Sequence, residues 1–229
     1  MPADLTNIAD LSFILLAWGG GLLIVSGVVA IARIPGPGFT WVTVSVAALI
    51  GLAGVLGDGA WWARAGLLGA LLALLWARNR PFSGVLQIAG ALCFLVQAAG
   101  IGGALPAISA GIALGGVTGE MLLGHWYLVD PRLPRSVLRA LAIAGIIGLA
   151  FDTAVVGGAG LPDGGAVLAY WALVTVSVLL MVGVIAAIRY PAYSGVMAAT
   201  GLSYLAVLTT LGGVFLGRAL VAGLGPFAN

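Results

Sequence analysis

Apolar residues fill this chain in eight long blocks, at 11–32, 40–57, 61–77, 83–101, 106–128, 135–156, 166–188 and 193–217, separated by short clusters of Pro, Gly and charge. Each block is near the roughly 17 to 25 residues that carry a helix across a bilayer, so the pattern predicts eight transmembrane helices. The third is the shortest, and Trp61, Trp62 and Trp76 mark its ends as an aromatic belt does. Tyr170 with Trp171, and Tyr190, do the same for the seventh. The first block follows Met1-Pro-Ala-Asp4 rather than a basic segment, so it predicts a membrane helix and not a cleaved signal.

Charge in the connectors sharpens this picture. Alternate connectors hold Arg33, then Arg78 and Arg80, then Arg132, Arg135 and Arg139, then Arg189. The opposite side holds Arg64 and Arg218 with Asp4, Asp10, Asp58, Asp152 and Asp163. Retained loops concentrate arginine, so both termini are expected outside the cytoplasm, on a multi-pass cell-membrane protein. A miscounted span would scramble this segregation.

Composition agrees: 62% of residues are hydrophobic, 7% are charged, and there are 37 glycines in 229 residues. No soluble domain could wet such a surface. The expected class is an all-α integral membrane protein, residues 1–229 forming one polytopic domain. The basic residues are scattered arginines, which argues against nucleic acid as a partner. Lone Cys93 falls inside an apolar block, as a small core residue does, and leaves no intrachain disulfide.

A shift of 111 residues places Arg78, Ser83, Gly84, Val85, Gly90 and Gly102 on Arg189, Ser194, Gly195, Val196, Gly201 and Gly213. Chance identities are common between such Gly- and Val-rich segments. Taken as a parallel internal repeat of four spans, with halves 1–104 and 105–229, it predicts two four-helix bundles side by side.

Against this apolar background stand the only glutamate, Glu120, and the only histidine, His125. Glu120 lies about nine residues inside the fifth span, roughly 13 Å deep at 1.5 Å per residue. An ionised acid there costs about 2.5 to 3.5 kcal/mol on insertion scales. It is expected to be protonated, partnered or facing an enclosed polar space, and it reads either as a proton carrier or ligand contact, or as a neutral acid tying two helices. His125 precedes Trp126 and Tyr127 at the interface, where an aromatic belt is the plain alternative to a ligand role. Five residues turn about 140° around a helix, so Glu120 and His125 do not share a face; they stand at two depths of one candidate groove. Gly111, Gly115 and Gly119 form a small-residue stripe for close helix packing beside the acid. Gln87, Gln97, Thr118, Asp152, Thr153, Ser203, Tyr204, Thr209 and Thr210 are further polar positions within spans, mostly expected as interhelical hydrogen-bonders. Asp152, near a span end where solvation is easy, ranks below Glu120. The turn Asp130-Pro-Arg-Leu-Pro-Arg135 reads as an anchor or as a dock for a peripheral partner.

What the chain lacks narrows the chemistry. With no lysine, a retinal Schiff base or lysine-based covalent catalysis is excluded. One histidine cannot provide bis-His haem ligation, and no spacing supports pairing it with Met121 or Met197. There is no phosphate-binding loop, zinc-ligand cluster or thiol pair. A Ser-His-Asp hydrolase would have to recruit His125 and Asp130 without a nucleophile motif. The connectors are too short to hold a soluble domain, so the chain is not expected to be an enzyme on its own.

In architecture alone, with no shared motif, eight spans in two bundles resemble the quinone-binding membrane subunits of respiratory oxidoreductases. That resemblance implies a membrane-embedded subunit of an energy-converting complex. Glu120 and His125, with Tyr127, Gln87 and Thr118, would bind a quinone-like head group or relay a proton, and the partners would be lipid and other membrane or peripheral chains. The competing expectations are a stand-alone, proton-coupled transporter of a small solute and a ligand-free scaffold or assembly factor.

Overall fold

The computed structural model describes residues 11–57 and 60–223. Asp4, Asp10 and Asp58 lie outside the described residues. Among the described residues eight helices follow one another: α1 (Leu11–Ile31), α2 (Pro37–Gly57), α3 (Trp61–Leu75), α4 (Arg80–Gly102), α5 (Ala104–Val129), α6 (Arg135–Gly158), α7 (Gly165–Arg189) and α8 (Tyr193–Val221). Seven are long and apolar enough to cross a membrane; α3, with 15 residues, is the short one. At 1.5 Å per residue it covers about 22 Å, less than the ~30 Å hydrocarbon core. Exposed Trp61, Trp62 and Trp76 flank it.

Packing closes two four-helix rings. In the first, α1 packs on α2 and α4, and α3 on the same two helices; in the second, α5 packs on α6 and α8, and α7 on the same two. The rings meet mainly along α1 and α5. Ala17, Gly21 and Val25 of α1 face Gly111, Gly115 and Gly119 of α5, a constant separation of 94 residues, so these two helices run parallel. A Cβ on Gly21 would fall on the Gly111 carbonyl, and one on Gly115 would fall on the Gly21 backbone. Only glycine permits that approach, and close backbone contact is what holds helices together where lipid removes the hydrophobic incentive.

The two rings share helix order, but individual residues paired by the 111-residue shift differ in their surroundings. Gly84 packs against α1, whereas Gly195 packs against the end of α7. Ser83 is buried and Ser194 exposed. Connectors are tied down by arginine: Arg80 donates to the Arg33 and Pro35 carbonyls at 3.0 and 2.6 Å. Arg135 reaches the carbonyls of Ile188, in the last turn of α7, and of Tyr190 and Pro191 just beyond it. Cys93 is a free, partly buried thiol.

Candidate functional site

Every buried charged side chain among the described residues, Glu120, Asp152 and Arg218, belongs to the second bundle. Helix α5 is its pillar. Its glycine stripe meets α1, and Glu120, about 100° around from Gly119, turns away from that seam toward α8. There it has no solvent exposure, and Oε2 contacts the Ser203 hydroxyl. The other oxygen, Oε1, has no hydrogen-bond partner among the described residues. Space beside it is kept by Gly124, where a Cβ would lie 3.0 Å from Thr200 Oγ1 and 3.8 Å from Glu120 Oε1. By the 94-residue separation Glu120 stands where α1 has Ser26, which hydrogen-bonds Thr43 of α2 at 2.7 Å.

Ser203 has one hydroxyl hydrogen and a second acceptor, the Ala199 carbonyl, at 2.8 Å. A carboxylate at Glu120 receives that hydrogen. A carboxylic acid at Glu120 instead donates to Ser203, which turns its own hydrogen to Ala199. Both protonation states therefore keep a partner, as a group that gains and loses a proton in low dielectric requires.

Nearer the opposite end of the bundle from the arginine-rich connectors lies a second cluster. Arg218 pairs with Asp152, and its Nη2 also reaches Ser109 Oγ at 3.1 Å and the Pro106 carbonyl at 3.2 Å. Ser109 donates to Asp152 Oδ1 at 2.7 Å. The Tyr170 hydroxyl is buried near Thr153 and has no hydrogen-bond partner of ordinary geometry among the described residues. Between the clusters, a crevice too narrow to hold a water molecule in this conformation is lined in part by Asp152, Thr153, Ser177, Thr209 and Thr210.

Two sequence expectations are corrected here. Asp152 is not solvated at a span end but 4% exposed and ion-paired, because α8 runs on to Val221 and carries Arg218 inward rather than into a connector. Tyr170 does not share the belt position of Trp171: it is 1% exposed and points into the bundle, while Trp171 stays outside.

The other sequence-nominated residues are dispersed. His125 is exposed on the outside of α5, its Nδ1 3.3 Å from the Tyr204 hydroxyl. Tyr127 is buried among the apolar side chains of the second bundle. Thr118 accepts a 2.9 Å hydrogen bond from Trp18 Nε1 across the α1–α5 seam. Gln87 sits in the first bundle and donates to Ser83 Oγ at 3.2 Å. Glu120 and His125 thus face different surroundings, one the bundle interior and one its exterior. Ser109, Thr200 and Arg218 were not nominated from sequence. A small hydroxyl carries no signal of its own there, but an Arg and an Asp, each within two turns of a span end on the same side, could have been paired. No protein family, no curated protein and no solved structure matches this chain.

Proposed function

We propose that the chain is the membrane-embedded subunit of a larger energy-converting assembly and that Glu120 carries a proton inside its second bundle. One observation supports this above the rest. The only glutamate is fully buried well inside the 26-residue α5, with one oxygen on a hydroxyl that can reverse its hydrogen bond and the other without a partner among the described residues. Ionisable groups in that setting mark proton and ion routes. A proton carrier fits the geometry better than a head-group site shared by Glu120 and His125, since those two residues look in different directions. Any catalysis in water would then belong to partner chains.

The test is Glu120→Gln in the native assembly. Subunit content should be unchanged while proton-coupled turnover falls about a hundredfold or more, the scale of a positioned proton-transfer group. Full turnover in the variant would end this reading.

A second reading, a stand-alone proton-coupled transporter, draws on the two rings packed about a parallel α1–α5 seam. Solute uptake by the purified chain in liposomes would favour it; co-purification with redox subunits and no uptake would favour the first.

A further inference from the structure

We propose that the interior of the second bundle, from the Asp152–Arg218 pair through Thr210, is the route by which protons reach Glu120 from the end opposite the arginine-rich connectors. The proposal rests on Glu120 being the proton carrier. The inward face of α8 carries Ser203, Thr210 and Arg218 in sequence. Steps of seven and eight residues place them about 10 and 12 Å apart along the axis. Thr210 is 1% exposed, lines the narrow space and has no hydrogen-bond partner among the described residues.

An unpartnered hydroxyl and a buried ion pair are both costly in a bilayer. Their alignment with a buried acid in one bundle, against purely neutral polar groups buried in the other, is what a route requires and a structural core does not. A wider cavity opens at its far end, between the α6–α7 connector and the end of α8, lined by Asp163, Ala166 and Leu220. Apolar side chains adjoin the path in this conformation: Val156, Ala166, Tyr170 and Leu220 form one buried cluster, and Val117, Met181, Ala206 and Val207 belong to another. Transit therefore needs transient opening, with water bridging hydroxyls that stand too far apart to bond directly.

Hydrogen–deuterium exchange at the Glu120 carboxyl reads the route without relying on turnover. Its acid C=O stretch is identified by infrared difference spectroscopy of the native assembly in nanodiscs, as the band lost in Glu120→Gln. Thr210→Val removes a hydroxyl at constant volume. Gly213→Ala narrows the same space, and its new Cβ would meet nothing closer than 3.7 Å, so the fold tolerates it. Thr210→Val should slow exchange about tenfold, the worth of one hydrogen bond in a rate, and Gly213→Ala should slow it by obstructing the same crevice. Thr40→Val, at a buried hydroxyl of the first bundle, should not slow it. Wild-type exchange rates in both Thr210→Val and Gly213→Ala would overturn the route while leaving Glu120 as carrier. A Glu120 band that never exchanges in the wild type would overturn the carrier and the route together.

Discussion

Arg218 and Asp152 put the cost of charge in lipid in its plainest form. Desolvating both groups is offset only by their mutual attraction and by the Ser109 and Pro106 contacts. Removing one partner leaves the other buried and alone, which typically costs about 3–5 kcal/mol, whereas replacing both with apolar groups is often neutral. Arg218→Met alone should therefore lower thermal stability in detergent far more than Arg218→Met combined with Asp152→Leu. If the double variant unfolds no later than the single one, the pair is a net stabiliser and its presence needs no route to explain it. Legibility from sequence divides along the same line. Glu120 declared itself because an acid far from either end of an apolar block has few places to go. Arg218 did not, because a charge at the edge of an apolar run marks a helix end in most chains, and only its rotation toward Asp152 brings it inside. Tyr170 was hidden likewise: adjacent Tyr and Trp look alike in sequence but project about 100° apart on a helix.

At the scale of elements, the boundaries were readable since Pro, Gly and charge interrupt hydrocarbon abruptly; the observed helices depart from the apolar blocks by at most four residues at either end. The stripe of Gly111, Gly115 and Gly119 stood out by its spacing, but which of the other glycines matter was not readable, because the chain has 37 of them. Contact sorts them. Gly115 lies on the Gly21 backbone, while Gly201, in the middle of α8, has nothing within 4 Å of a built Cβ. Gly115→Ala should destabilise by about 1–3 kcal/mol, the cost of overpacking a tight contact. Gly201→Ala should be neutral or stabilising by up to about 1 kcal/mol through reduced backbone freedom. Parallel thermal unfolding of the two variants in one detergent checks the contrast; equal shifts would mean that the α1–α5 seam is looser than its geometry.

For the whole molecule, the question left by a 15-residue α3 is whether the chain crosses the bilayer eight times. Helix α3 lies antiparallel along α4: Gly66 and Gly69 meet Gly90, and Ala73 accepts from Ser83 at 2.8 Å. Its exposed tryptophans sit at both ends, as they would at two interfaces. A local thinning of the bilayer accommodates a short helix at a cost of fractions of a kcal/mol per Å, which is small against that packing. If α3 crosses, the connectors at Gly36, Asn79 and Pro131 share one side and Asp163 lies on the other; the arginine content of the connectors predicts that the shared side is cytoplasmic. Single cysteines at Gly36, Asn79 and Asp163, each in a Cys93→Ala background, test both statements with a membrane-impermeant thiol reagent on intact cells; a side chain at Gly36 meets nothing within 4 Å. Asp163→Cys should label at once, and Gly36→Cys and Asn79→Cys only after permeabilisation. Reversal of all three would invert the orientation but keep eight crossings. Labelling of Gly36→Cys together with Asp163→Cys, with Asn79→Cys protected, would place α3 within one leaflet, since only α2 would then separate Gly36 from Asn79.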